Sequence, residues 1–316
     1  MKFHVVTQFD CHYAAAGLEM LRSLLQTNPD AEVTVLCLDD RIGAIINSSF
    51  RDRVSILEAQ ALFDAEPKLI EIFKERAPWE AYATLKSVFV DYWLGKIPEN
   101  ECLWYIDADT YFYNSLGPVY EEMNGASVGI SPHRFNDETL HWAVFGNYNA
   151  GLIVWRNNEI GRQCAQDWRV DCLAWCYQSS ENEGFYMNQG YLNKWPNRYP
   201  GVRVLSHPGA NLARWNLASH QLSQDATGVR VDQQPLIFYH FSDVWRDPLR
   251  KFPTTPGTKL DFQLLAYRSI YRPYLAALSR RSLYLRWKFG ITGVHSMKGH
   301  DFASLSLRNL VWNLIR

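Results

Sequence analysis

Two hydrophobic periodicities alternate at the start of the chain, and this alternation restricts the fold more than any other feature. Residues 3–8 are an apolar, β-branched run, as a buried strand requires. Residues 14–26 follow with Leu18, Leu21 and Leu25 at helical spacing, and residues 33–38 form a second apolar run that stops at Asp39 and Asp40. A strand, a helix and a strand with short connections predict a parallel, doubly wound α/β sheet. The pattern continues with helical stretches over 58–75, interrupted near Pro67, and over 82–94. Strands are expected at 102–106, 126–131, 151–155, 202–205 and 236–239, with a helix over 159–176. There is no internal repeat and no low-complexity segment.

Charge and length narrow the classes. With 32 basic and 33 acidic side chains in 316 residues, the chain has no bulk charge with which to hold nucleic acid, and no nucleic-acid partner is expected. The length suits one large α/β domain, expected over residues 1–250, and a terminal region over 251–316. Aromatic residues are 14% of the chain, a composition that suits partly polar ligands such as sugars. The N-terminus enters a strand directly, without the apolar stretch of a signal peptide, so cytoplasmic residence is the expectation. The longest charge-free candidate span, residues 140–155, falls short of the roughly 18 residues needed to cross a bilayer and contains Asn147 and Asn149. The six cysteines form no Cys-x-x-Cys pair and read as structural thiols in a reducing compartment.

From residue 279 onward the character changes. Seven Lys or Arg face one acid, Asp301, among Leu283, Tyr284, Leu285, Trp287, Phe289 and Trp312. Such a segment either lies on an anionic bilayer or packs its apolar side on the main domain as a helical cap.

The chemistry concentrates at Trp104-Tyr105-Ile106-Asp107-Ala108-Asp109. An apolar strand ends in two carboxylates two positions apart, which in extended backbone project to the same side, with little Ala108 between them. At the carboxyl edge of an α/β sheet such a pair suits a hard divalent cation; a pair of turn-capping Asp residues is the alternative. Other short runs stand in order around it: Phe9-Asp10-Cys11-His12-Tyr13, Lys86, Asn149-Ala150-Gly151, Asn188-Gln189-Gly190, residues 208–216, and Phe238-Tyr239-His240.

Together these motifs, across residues 3–243, resemble the GT-A-fold nucleotide-sugar glycosyltransferases, most closely bacterial members of glycosyltransferase family 8 such as lipooligosaccharide galactosyltransferases. The resemblance implies a Rossmann-like, mixed but mostly parallel central sheet flanked by helices, with a helical, basic C-terminal appendage. It implies transfer of a hexose from a UDP-sugar to a saccharide or glycolipid acceptor of a surface polysaccharide or lipid-linked glycan, with retention of configuration. Asp107, Asp109 and His240 match the family's ligands for Mn²⁺ or Mg²⁺, and the imidazole favours Mn²⁺. Thr7, Phe9, Asp10, Tyr13, Lys86, Ala108, Asn149 and Gly151 fall at donor-binding positions. Asp91 falls near the sugar hydroxyls, and Asn188 and Gln189 beneath the anomeric carbon. Asn211, Arg214 and Trp215 are candidates for the acceptor.

Blander readings stand beside these. Asp10 also fits a helix cap, Lys86 a surface lysine, Asn188 with Gln189 a surface pair, residues 208–216 an ordinary turn, and His240 a core histidine. Two departures matter. Asn188 stands where the family has an acid, which weakens any covalent glycosyl-enzyme through that position. After His240 the family shows Gly and then Lys-Pro-Trp, where this chain has Ser242-Asp243-Val244-Trp245-Arg246, leaving Arg246 as the candidate phosphate contact. A haloacid-dehalogenase phosphatase would also place Asp-x-Asp after a strand, but close to the N-terminus and without Tyr111 at its position. A catalytically silent sugar-binding protein of the same fold is the third reading.

Overall fold

In the computed structural model, which describes residues 2–179, 186–242, 244 and 264–292, the expected opening is formed by β1 (Phe3–Phe9), α1 (Ala14–Thr27) and β2 (Ala31–Cys37). The strands pair in parallel, Val5 beside Val33 and Phe9 beside Cys37. Asp39 does more than end the second strand. Its side chain accepts the backbone N–H groups of Arg41 and Ile42 and caps a helix the sequence pattern did not announce, α2 (Asp40–Phe50). An unannounced β3 (Val54–Glu58) ends where the expected long helix begins, and that helix is divided at Pro67, as expected, into α3 (Gln60–Ala65) and α4 (Lys68–Glu75).

The chain continues through α5 (Pro78–Leu94), β4 (Cys102–Ile106), β5 (Thr110–Phe112), α6 (Gly117–Glu122), β6 (Val128–Pro132), β7 (Tyr148–Arg156), α7 (Glu159–Ala174), α8 (Trp195–Arg198) and β8 (Val202–Val204). The central sheet has the order β3-β2-β1-β4-β7-β6-β8, and β7 runs against both its neighbours while the other pairings are parallel. It is therefore mixed and mostly parallel, as expected. Alternation along β4 divides the core between the faces. Trp104 and Ile106 pack with α1 residues such as Leu18 and Leu21, while Leu103 and Tyr105 pack with Leu85, Phe89, Trp155 and Trp168. Burial on both faces explains why the central strands read as continuous apolar runs.

Two small sheets complete the carboxyl edge. β9 (Leu212–Ala213), β10 (Leu222–Asp225), β11 (Gly228–Val231), β12 (Gln234–Pro235) and β13 (Phe238–His240) form one sheet of order β5-β13-β9 and one of order β10-β11-β12. In the first, β13 runs antiparallel to β5 with His240 opposite Thr110. This register brings residue 240 alongside the end of the Asp-Ala-Asp segment.

After α9 (Leu264–Ala266), α10 (Arg272–Phe289) buries Tyr274, Leu275, Leu278 and Leu285. It packs on α1, and Arg281 Nε donates to buried Glu19 at 2.8 Å. Arg280, Leu283, Arg286, Trp287 and Lys288 face outward, Trp287 with 83% of its surface exposed. The expected boundary at residue 250 and residues 293–316 of the basic tail lie outside the described residues. Among the described residues no helix is long and apolar enough to cross a membrane. All six cysteines are free and buried.

Candidate active site

The Asp-Ala-Asp segment is suspended between the two sheets. The Asp107 N–H donates to the Gly151 carbonyl of β7 at 3.0 Å, and the Asp109 carbonyl accepts the Phe241 N–H just beyond β13 at 2.8 Å. Both carboxylates thus leave the ends of rigid strands, as a site with fixed geometry requires. One Asp107 oxygen accepts from Lys86 Nζ at 2.8 Å. Lys86 reaches it from the buried side of α5, with Nζ 4.4 Å above the Tyr105 ring, so it is no surface lysine.

His240 Nε2 lies 3.1 Å from Asp109 Oδ1, and Nδ1 lies 3.0 Å from Asn211 Oδ1. Burial opposes charge on this imidazole, but Asp109, with Asp107 behind it, outweighs that effect and raises its pKa above the ordinary value. The ligand atoms of Asp107, Asp109 and His240 all fall within 4.8 Å of one another. Two carboxylates and an imidazole so close are a chemically suitable donor set for a divalent cation. Gly151 makes the arrangement possible: a Cβ there would stand 2.4 Å from His240 Cε1.

A cleft of about 350 Å³ opens beside this cluster. Phe9, Asp10, Tyr13, Leu38, Ala150, Asn188 and Gln189 line it. Asp10 Oδ1 accepts the N–H groups of His12 and Tyr13 at 2.9 and 3.1 Å, so it shapes the turn into α1 while facing the cleft. Burial raises its pKa. Phe9 packs its ring over Gly17, where a Cβ would come within 2.6 Å.

Asn188 Nδ2 donates to the Ala83 carbonyl at 2.9 Å. The Gln189 amide is held at three points: its oxygen accepts from the Ala150 N–H and from Asn149, and its nitrogen donates to the Phe145 carbonyl. Ala108 and Lys86 also line the cleft, and Asn149 and Gly151 lie immediately behind it.

Four expected residues stand elsewhere. Thr7 is fully buried within β1 and does not line the cleft. Asp91 points to α7, where its carboxylate accepts from Arg169 Nε at 2.7 Å in a cluster with Glu66, and it does not line the cleft. Replacing Asp91 by Asn should lower stability by about 1–3 kcal/mol and leave kcat within twofold; denaturant unfolding beside a transfer assay checks this, and a large kcat loss would restore a catalytic role. Asn211 is completely buried beneath His240, and Trp215 is buried with its ring edge-on to His240 at 5.2 Å, so neither faces an acceptor. Arg214 lies partly exposed, its guanidinium 4.8 Å from the centre of the Trp142 ring. Arg246 lies outside the described residues.

The cleft also uses residues that sequence reasoning passed over. Trp79, Tyr82, Tyr186 and Met187 also line it, and Trp79 is 43% exposed. A large exposed aromatic after Pro78 was visible in the sequence, but no spacing tied it to the motifs. His133 was missed as well. It is buried beside Asn149 and Trp215, and burial pushes its pKa down to about 3.

No family model matches the chain. The uncharacterized protein YfnF of Bacillus subtilis (strain 168) is 31% identical over 258 residues, covering 78% of this chain and 84% of YfnF. The uncharacterized protein YfnD of the same organism is 27% identical over 289 residues, 88% of this chain and 89% of YfnD. Among solved structures, the galactosyltransferase LgtC in complex with donor and acceptor sugar analogues superposes with a TM-score of 0.53 at 15% identity, covering 89% of this chain and 96% of LgtC. An active-site mutant of LgtC gives 0.54 over 81% of this chain and 92% of that one. The fold is that of the glycosyltransferases.

Proposed function

The chain belongs to the family of Bacillus subtilis YfnF, and from its fold and its site we propose that it is a metal-dependent glycosyltransferase moving a hexose from a UDP-sugar to a saccharide acceptor. The observation that carries this reading is the convergence of Asp107, Asp109 and His240 on one point at the wall of the cleft. A divalent cation held there, Mn²⁺ in preference to Mg²⁺ for a mixed oxygen and nitrogen set, would stabilise negative charge on a diphosphate leaving group.

The chain's own residues supply the rest. Phe9, Asp10 and Tyr13 receive the base, and Lys86, already buried beside Asp107, adds a fixed positive charge facing the phosphates. Gln189, clamped at three points, offers a rigid amide edge beneath the sugar. Among the described residues that line the cleft only Asp10, Asp107 and Asp109 carry carboxylates, and each already serves the turn, the lysine or the histidine. Retention of configuration, with the acceptor attacking from the face the leaving group vacates, is carried over by analogy with the family resembled. The acceptor is assigned by analogy to a surface polysaccharide or lipid-linked glycan, with Arg214, whose guanidinium lies against the Trp142 ring, as its candidate contact.

Incubation with a panel of UDP-sugars and Mn²⁺ should release UDP and transfer the hexose to a saccharide. Release of inorganic phosphate from phosphomonoesters instead would favour the phosphatase alternative, and binding without turnover the silent one.

The outward face of α10 is the proposed contact with an anionic bilayer, and cytoplasmic residence goes with it. Each basic residue near such a surface contributes about 1 kcal/mol. Reversing Arg280, Arg286 and Lys288 to Glu should weaken binding to phosphatidylserine vesicles at least tenfold without altering UDP affinity; unchanged vesicle binding would leave α10 as a structural cap only.

A further inference from the structure

We infer that Tyr271 and Tyr274, from the C-terminal helical region, are positioning residues of the cation site, holding the strand that carries His240 in register with Asp109. The inference rests on the reading of Asp109 and His240 as cation ligands.

β5 and β13 are three residues long and β9 only two, so the sheet that brings His240 to Asp109 has little ladder of its own. Strand pieces this short are marginal unless one face is packed. Side chains alternate along a strand, so the residues on either side of His240 turn to the face opposite the imidazole. Those residues are Tyr239 and Phe241. His240 reaches Asp109 and Asn211, while Tyr239 and Phe241 meet Tyr271 and Tyr274. The two tyrosines are one turn apart, Tyr271 at the end of a π-helical turn over Tyr267–Tyr271 and Tyr274 in the first turn of α10.

Both flanks of His240 are gripped. The Tyr274 ring stacks on Phe241 with centres 3.7 Å apart and planes 12° from parallel. Tyr271 meets Phe241 edge-on at 5.5 Å, and its hydroxyl shares a hydrogen bond with the Tyr239 hydroxyl. Phe241 is also the residue whose N–H donates to the Asp109 carbonyl at 2.8 Å. The stacked ring and the bond that joins the two ligand-bearing segments therefore belong to one residue.

The partner strand rests on the same segment. Tyr111, which stands opposite Tyr239 in the β5–β13 pairing, meets Tyr274 edge-on at 5.7 Å, and the Tyr113 hydroxyl donates to the Ile270 carbonyl at 3.1 Å. Asp109 directly precedes β5 and His240 ends β13, so residues 270–274 support the strands of both ligands. The Tyr274 hydroxyl is buried without a hydrogen-bond partner among the described residues. What this position uses is the flat ring, and phenylalanine should serve there.

The test uses the full-length protein, with two readouts: Mn²⁺ affinity by titration without nucleotide, and hydrogen exchange of the Phe241 amide without cation, with the Val5 amide of the central sheet as control. Tyr274→Leu, which keeps an apolar side chain and removes the stack, should weaken Mn²⁺ binding about tenfold and speed Phe241 exchange while leaving Val5 unchanged. Tyr274→Phe should match wild type within twofold in both. A folded Tyr274→Leu protein with wild-type Mn²⁺ affinity would overturn the inference and leave the ring a packing residue, and so would a Phe variant as weak as the Leu variant. If Tyr274→Leu does not fold, Tyr271→Phe decides: loss of the hydroxyl bond to Tyr239 should weaken Mn²⁺ binding about threefold, and unchanged affinity would overturn the inference. Wild type that fails to bind Mn²⁺, with Phe241 exchange responding as expected, would count against the cation reading and not against the support of β13 by this segment.

Discussion

Replacing Asp109 by Asn should abolish cation-dependent UDP binding and reduce any transfer by roughly a thousandfold or more, about 4 kcal/mol in transition-state terms. The substitution is isosteric. The Asp109 backbone carbonyl would still accept the Phe241 N–H, so β5 and β13 keep their registration. What disappears is one full charge from a donor set whose ligand atoms lie within 4.8 Å of one another. His240 would also lose the carboxylate that, against the effect of burial, raises its pKa. The cost to the fold is therefore small. Wild type should show a rise in Tm on addition of Mn²⁺ with UDP, by preferential binding to the folded state, and the variant should show none. Unaltered UDP affinity in Asp109→Asn would remove the metal assignment.

Gly151→Ala should be nearly as damaging, for a steric reason. The backbone at this position is one that alanine can adopt, so the effect comes from the methyl group. It would meet His240 Cε1 at 2.4 Å, Asn149 Oδ1 at 2.6 Å and His240 Nδ1 at 2.8 Å. His240 cannot retreat easily, because the Trp215 ring lies on one side and Asn211 on another. Overpacking of this kind costs about 1–3 kcal/mol of stability. The larger effect is on function, since a displacement of about 1 Å at a reacting centre can cost a hundredfold. Unfolding by denaturant and Mn²⁺ titration on the same preparation separate the two. A folded Gly151→Ala protein with Mn²⁺ affinity within twofold of wild type would show that His240 does not hold the cation.

The parts of the fold legible in the sequence are those buried on both faces. β1, β2 and β4 are continuous apolar runs because helices cover the sheet on either side, and their ends were visible to within one or two residues. The strand that carries His240 was expected over 236–239 and is present as β13, but the sheet it forms with β5 and β9 was not legible. β5, β9 and β13 are two or three residues long, and their pairing is decided by tertiary contacts rather than by local periodicity. α2 and β3 were hidden for a related reason: the helix carries Gly43, Ser48 and Ser49, and the strand sits at the sheet edge with polar positions.

At the site, Asp107, Asp109 and His240 were visible as residue types at strand ends, and the structure brings them together. Asp91 was misplaced by helical phase. Five positions after Lys86 on a 3.6-residue period turns it about 140° away, toward α7 and Arg169. Asn211 and Trp215 belong to a run with the composition of an exposed loop, yet they lie under His240. Nothing in one sequence distinguishes a loop that faces solvent from one drawn into the core by Arg134 and Asn216. The hydrogen bond from Asn149 to Gln189 was unreadable for the same reason, since it forms only through the fold.

The most direct measurement is calorimetric titration of UDP into the full-length protein, with Mn²⁺ and again with EDTA, using GDP as the control for the base. UDP should bind with Mn²⁺ and lose most of its affinity in EDTA, with GDP binding at least tenfold more weakly. Absence of binding by either nucleotide in the presence of Mn²⁺ would contradict the assignment of the cleft as a donor site.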